Sequence, residues 1–450
     1  MDETRPSDLL TRLAAALDRR VAESPARAEI HWTLIRAVGG GEHGACLLDP
    51  TGGRRWTALA SPAAVAELDR MRRRLVAGAG GPDRVVAALL DRARDRLLMG
   101  ALAPDPTPAR EVLSEAMATT LSVGRTALGL DGRLAGAHEI QRSGFLDGAE
   151  WIGDLFGPML VIGWAARAGM EVADACERVL ASRQGRDLRH YRDCPQLPHD
   201  ADVAAAVLDG LAVSERVGEG GKWARGQARS ILAAATDDDG EVRTWVDRPG
   251  DLPRVADHRW LGPTCSGVGG RALAAMAGDV GGFGDPRVKA VAGWLGARAD
   301  DDGGFTGVHY PERVVATSLA LSGLVAARRR LGPGHGLGSP IARAAGWLVE
   351  RQQPDGRMGG GALATAMAVL AVDEAFRCAA VDAPADTLAE PWADALALLA
   401  LTQRWDGGWP AEGLYPCPHP GGRVERFGAV ALTTAASLAA LTVIRRVWGS

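Results

Sequence analysis

From about residue 105 onward, Ala- and Leu-rich stretches without interior proline alternate with shorter amphipathic ones, and the alternation predicts pairs of helices. RVVATSLALSGLVAARRR, GALATAMAVLAVDEAF and GAVALTTAASLAALTVIRR are apolar around most of their circumference, as buried helices must be. Between them run segments that end in a glycine turn. AVAGWLGARADDDGGF, RAAGWLVERQQPDGRM and DALALLALTQRWDGGW align without a gap, QARSILAAATDDDGEV is a fourth copy, and weaker copies surround Gly132 (LGLDGRLAG) and Gly185 (LASRQGRDL). The turn glycines are Gly132, Gly185, Gly240, Gly303, Gly356 and Gly407. Each DG or DGG step supplies a residue that tolerates positive φ, which stops one helix and turns the chain toward the next. Six such hairpins predict an all-α fold, an (α/α)6 toroid with an inner and an outer ring, because a closed ring buries both terminal repeats. An open solenoid is the competing arrangement.

Residues 1–104 follow a different pattern. One amphipathic helix runs from Ser7, with Leu9, Leu10, Leu13, Leu17 and Val21 on one face, and EIHWTLIRAV, HGACLLDP and RRWTALA then read as a short β-meander. Two Arg-rich helices follow, over about 62–77 and 83–101, and the PDPTP stretch at Pro104 to Pro108 marks the boundary between a small α+β region at 1–104 and the helical repeats at 105–450. No role is assigned to the amino-terminal region.

Composition narrows the partners. The 450 residues carry 51 basic and 55 acidic side chains, a net charge of −4, which offers no general field for nucleic acid. The amino terminus lacks the basic-then-apolar order of a secretory signal, and the longest apolar stretch, Phe156 to Ala166, is about half the roughly 20 residues a membrane span needs. A cytoplasmic location is expected, with peripheral membrane contact still open. The six cysteines are scattered with no CxxC pair, which suits reduced thiols.

The repeat carries a resemblance. Arg343, Ala344, Trp347, Leu348, Gln352 and Gly356 match the basic, small, aromatic, aliphatic, Gln and Gly positions of the terpene cyclase repeat, with Met358 in place of its final Trp. Gln403, Gly407 and Trp409 match again, whereas Ala299 and Thr236 replace Gln elsewhere. Residues 105–450 therefore resemble the squalene-hopene and class II diterpene cyclases, and the protein prenyltransferase β subunits that share their toroid. Such a ring serves several chemistries, so architecture alone does not choose among them.

In those cyclases an Asp-x-Asp-Asp motif opens an inner helix, and its middle aspartic acid protonates an alkene or epoxide. This chain reads PQLPHDADVAAAVLDGL at the matching point, with Asp200 and Asp202 in the first and third places and Val203 in the fourth. The resemblance implies Asp202 as the acid, tuned by Asp200. Two nearby carboxyls suit the task, since ionisation of one keeps the other protonated and burial raises its pKa further. Asp at such a position is also a favoured helix cap. The cyclases support the acid with a histidine, which implies that role for His258 in VADHRWLGPTCSGVGG, while His199 adjoins the motif. The loop SRQGRDLRHYRD holds Arg183, Arg186, Arg189, His190 and Arg192, of which Arg186 and Arg189 are candidates for a substrate diphosphate. Trp151, Phe156, Trp260 and Tyr310, with Trp164, Trp245 and Phe427, are candidate aromatic surfaces for cationic intermediates.

The leading expectation is thus protonation-initiated cyclisation of an isoprenoid, squalene-like or a prenyl diphosphate, without an organic cofactor. Mg2+ would enter only with a diphosphate. The first alternative is a non-catalytic toroid that binds a lipid or protein, which the 6 Phe and 3 Tyr of the whole chain favour. The second is a prenyltransferase β-like subunit, for which GGFTGVHYPERVVATSLALSGL speaks. Its zinc set transfers poorly: Cys265 and His309 fall in neighbouring repeats, and Cys417 and His419 have no Asp at the family's spacing. No metal site is expected.

Overall fold

The computed structural model describes residues 151–183, 187–192, 197–213, 218–246, 264–279, 281–353, 356–378, 388–402, 408–418 and 424–449, together with strands at 45–48, 54–57 and 139–141 and the helical residues Arg125 and Leu128. Strands β1 (Ala45–Leu48) and β2 (Arg54–Thr57) pair antiparallel, as expected for part of the meander. The helices expected at 7–21, 62–77 and 83–101 lie outside the described residues, as do Gly132, Gly185 and Gly407.

The ring is built from α1 (Phe156–Arg167), α2 (Ala173–Ala181), α3 (Ala201–Ala212), α4 (Glu219–Ala235), α5 (Ser266–Gly278), α6 (Asp285–Gly296), α7 (Arg313–Leu331), α8 (Gly338–Glu350), α9 (Ala362–Arg377), α10 (Ala389–Thr402) and α11 (Val430–Gly449). The odd-numbered helices are the Ala-rich ones and each packs on the next, α1 on α3, α3 on α5, and so on to α11, which packs back on α1. That last contact closes the circle. The even-numbered helices lie outside it: α6 against α5 and α7, α8 against α7 and α9, α10 against α9 and α11. Helix α8 shows why, since Ile341, Ala344, Ala345, Trp347 and Leu348 are buried along one stripe while its other face carries charge. Inner helices α5 and α7 touch backbone to backbone, because a Cβ on Gly270 would overlap the Leu319 carbonyl and one on Gly323 the Gly270 carbonyl.

The inner helices run parallel. Phe156, Asp202 and Tyr310 at or just before the starts of α1, α3 and α7 gather at one rim, as their contacts with Arg271 and each other show. At the opposite rim Arg167 of α1 meets Glu374 of α9 at 2.7 Å, and Arg330 of α7 donates to the Met276 carbonyl of α5 at 2.8 Å.

The predicted glycine turns form with one geometry in three repeats. Gly240, Gly303 and Gly356 have φ of 86°, 90° and 84°, and their N–H groups donate to the carbonyls of Asp237, Asp300 and Gln353 at 3.2, 2.8 and 2.8 Å. Past each turn, the backbone N–H of Phe305, Met358 and Trp409 donates to a buried threonine of the following inner helix, Thr317, Thr365 and Thr434, at 2.9, 3.0 and 3.0 Å. Gln352 reaches the next outer helix, donating to the Pro391 carbonyl at 2.8 Å. Met358 is fully buried in its repeat, as Trp409 is in the next.

Two hairpins interrupt the helices without having been expected. β3 (Glu139–Gln141) pairs with β4 (Trp151–Gly153), and β5 (Tyr415–Pro418) with β6 (Val424–Phe427), both antiparallel. The segment YPCPHPGG thus begins as a strand leading into α11. No described helix is long and apolar enough to cross a membrane.

Candidate active site

Asp200 stands just outside α3 in an extended conformation and caps it, its Oδ1 accepting from the Val203 N–H at 2.7 Å. The segment before it is locked by backbone bonds to 244–246, Ala201 N–H to the Thr244 carbonyl at 2.8 Å and Val246 N–H to that of His199 at 3.0 Å. Asp202 therefore sits in the first turn, on the face toward the ring's centre. Its Oδ1 accepts from Arg271 Nε of α5 at 2.6 Å, and its Oδ2 accepts from the Tyr310 hydroxyl. The Arg271 guanidinium also lies over the Phe156 ring, 5.3 Å from its centroid. Burial works against the charge of Arg271, but Asp202, Tyr310 and Asp209 together raise its pKa above the ordinary value. Burial, then the Asp202 charge, lifts the Tyr310 phenol well above its usual range, so it stays a donor.

The outer oxygen of Asp200, Oδ2, lies 3.9 Å from His190 Nδ1 and has no hydrogen-bond partner among the described residues. Burial pushes the Asp200 carboxyl up to about 6, against the pull of His190 and the Val203 N–H. His190 Nε2 meets the Tyr415 hydroxyl at 3.1 Å. Around it, Phe156 lies 5.5 Å from Tyr415 and 5.6 Å from His190 between ring centroids, and Tyr415 lies 5.0 Å from Phe427.

The structure thus brings Asp200, Asp202, Phe156 and Tyr310 together at one rim. His258, Trp260 and Arg186 lie outside the described residues, and Trp151 is placed in β4 with its side chain outside them. Arg189 is held elsewhere: its Nε meets Asp187 at 2.5 Å and its Nη1 donates to the Leu197 carbonyl. Arg183, fully buried, pairs with Asp154 at 3.0 Å, and Arg192 pairs with the same carboxylate. Arg183 and Arg192 therefore fasten that loop to the end of β4, while Arg189 is engaged by Asp187 and the Leu197 carbonyl.

Four residues of the centre were not singled out from sequence: Arg271, Asp209, Tyr415, and His190 as a neighbour of Asp200. Two had a signal. Arg271 is the lone charge of SGVGGRALAAMAG, and a lone charge in a buried helix needs a partner. Asp209 follows Asp202 by two helical turns in ADVAAAVLDGLA, on nearly the same face. Burial lifts Asp209 to about 6, against the positive charges of Arg271 and Arg167. Among the described residues no three His, Cys, Asp or Glu side chains converge as a metal site.

No protein-family model and no curated protein matches the sequence. Solved structures do match. A crystal structure of a protein from Actinoplanes superposes with a TM-score of 0.54 at 23% identity, over 74% of this chain and 100% of that one. A variant of the type II terpene cyclase MstE from Scytonema, in complex with its substrate geranylgeranyl dihydroxybenzoate, superposes with a TM-score of 0.56 at 18% identity, over 74% and 98%. The fold is that of a terpene cyclase toroid. The apo form of MstE superposes similarly, with a TM-score of 0.53 at 19% identity over 72% of this chain and 97% of that one. The likeness, at these identities, is one of fold.

Proposed function

We propose that the chain is a class II-type cyclase, which starts ring closure by protonating an alkene or epoxide of an isoprenoid. The observation that carries the reading is the setting of Asp202 at the rim of a closed apolar ring, with both carboxyl oxygens met by donors, Arg271 Nε and the Tyr310 hydroxyl. An acid strong enough for an alkene must leave a stabilised conjugate base, and these two donors hold that carboxylate. Burial lifts the Asp200 carboxyl beside it to about 6, and a charge on Asp202 opposes its ionisation. In the step itself the Asp202 O–H bond breaks and a C–H bond forms from the alkene π pair. The resulting cation is attacked by the next alkene, and a final C–H bond loses its proton to a base, so the product is an isomer of the substrate. The Phe156, Tyr415 and Phe427 rings offer faces to positive charge. Arg189, held by Asp187 and the Leu197 carbonyl, would contact a diphosphate only at the loop that precedes α3, outside this centre.

A second reading is a lipid-binding toroid without turnover. The engagement of Asp202 by Arg271, both largely buried, favours it, since such a pair also serves as a structural ion pair. Incubation of wild type and Asp202→Asn with squalene, farnesyl diphosphate and geranylgeranyl diphosphate, followed by mass spectrometry, decides between them. A cyclised isomer from wild type alone is expected. The same product from Asp202→Asn, or none from folded wild type on any substrate, overturns the cyclase reading.

A further inference from the structure

The amino end of α9 is built like an anion cradle, and the chain fills it with its own carboxylates. Gly359 to Gly361 lead into the helix, and glycine there lets an anion reach backbone N–H groups that a side chain would screen. Glu412 accepts from the N–H groups of Ala362 and Leu363 at 2.7 and 2.9 Å, one to each carboxyl oxygen, and Glu312 accepts from the Gly360 N–H. A Cβ on Gly361 would overlap the Glu412 carboxyl, and one on Gly359 the Glu312 carboxyl. Burial raises the pKa of Glu412, while the two N–H groups favour its charged form. Both glutamates belong to segments that build the Asp202 centre. Glu312 closely follows Tyr310, whose hydroxyl donates to Asp202, and Glu412 closely precedes Tyr415, which meets His190 and Phe156. The chain from Glu412 to Tyr415 spans at most about 11 Å, so the filled end of α9 borders the aromatic surfaces.

A diphosphate arriving at this rim would need donors of the kind that Glu412 and Glu312 already hold, and it would meet their like charge and that of Asp202. The arginines nearest the centre among the described residues offer little relief, since Arg271 is bound to Asp202, Arg183 and Arg192 to Asp154, and Arg189 to Asp187. Arg426 is exposed, and strand alternation puts it on the face of β6 opposite Phe427. We infer that Glu412 is a specificity residue: its carboxylate occupies the anion position at the amino end of α9, so that the rim rejects an isoprenoid diphosphate and admits an isoprenoid with an uncharged head. The inference rests on the isoprenoid reading above and adds the group that sorts its substrates. Bridging by Mg2+ would not reverse the sorting at Glu412 or Asp202, whose oxygens are each already met by a donor. The competing account makes Glu412 a helix cap that a diphosphate simply displaces.

Tryptophan-fluorescence titration of the full-length protein with geranylgeranyl methyl ether, squalene and geranylgeranyl diphosphate tests this, with and without Mg2+ and at about pH 8, where ordinary carboxyls are ionised. The ether should bind wild type at least about tenfold more tightly than the diphosphate. Raising the salt from about 0.1 to 1 M shortens the screening length from roughly 10 to 3 Å, so that ratio should shrink about threefold, whereas exclusion by shape would leave it unchanged. In Glu412→Gln, which keeps an acceptor without the charge, the ratio should fall about threefold at low salt, while Glu412→Asp keeps the charge and should hold the ratio. Melting curves of both variants report folding. Equal or tighter binding of the diphosphate to wild type, a ratio that ignores salt, no change in Glu412→Gln, or the same change in both variants overturns the inference and leaves the isoprenoid reading intact. Absence of binding or turnover of every one of these probes with folded wild type would remove both.

Discussion

Arg271 Nε and Asp202 Oδ1 meet at 2.6 Å across the α3 and α5 interface, an ion pair with both side chains largely buried. Replacing Arg271 by Met should strand the Asp202 carboxylate in a largely buried site and cost about 3–5 kcal/mol. The Arg271→Met/Asp202→Leu double variant should regain most of that loss. Urea denaturation of the four proteins measures the coupling, and additive losses would show that the pair does not act as a unit.

Asp200 gives a pH signature. Its pKa rises from 3.8 to about 6 on folding, so the fold prefers the neutral acid. This contribution is complete below pH 3.8 and disappears as the pH climbs through 6, leaving a charged form that costs about 3 kcal/mol. Asn keeps the cap on α3 without the charge. The melting temperature of Asp200→Asn should therefore match wild type near pH 4 and exceed it by several degrees at pH 8, in thermal melts across that range. A pH-independent difference would contradict the assignment.

Two positive-φ glycines separate backbone strain from crowding. Gly356 has φ 84° and a Cβ there would overlap the Asp394 carbonyl of α10, whereas Gly336 has φ 72° and open space around it. Gly336→Ala should cost about 1–2 kcal/mol, the left-handed penalty alone. Gly356→Ala should cost about 1–3 kcal/mol more, because the neighbouring helix must move. Chemical denaturation of both variants compares them.

Thr365 tests the seam between turn and inner helix. Its hydroxyl accepts from the Met358 N–H at 3.0 Å and donates to the Gly361 carbonyl at 2.7 Å, in a fully buried site. Thr365→Val preserves shape and strands that N–H, at about 1–3 kcal/mol, while Thr365→Ser should lose less. Equal losses for the two variants in urea melts would remove the hydroxyl from the account.

The parts of this fold that are local in the chain could be read from sequence, and the parts that depend on ring register could not. The turn at Gly356 is written in five consecutive residues, and the Ala-rich inner helices announce themselves by having no polar face. Asp200 and Asp202 stand out because they open such a helix. The partner of Asp202 arrives from the next inner helix, and nothing in the spacing of SGVGGRALAAMAG says that Arg271 faces α3 rather than α7. Tyr415 and His190 meet only because α11 closes on α1, a contact between opposite ends of the repeat array. The hairpins around β3 and β5 have strands of three and four residues, too short for alternation to register.

The parallel course of the inner helices has an electrical consequence. Each α-helix carries a partial positive charge at its amino end and a partial negative one at its carboxyl end, and a closed ring of parallel helices adds these ends into two oppositely charged collars. Asp200 and Asp202 stand at the positive collar, where a carboxylate is welcome and a cation is not. A positive charge anywhere along the axis would be favoured toward the carbonyl ends, so the ring has an electrical direction as well as a shape.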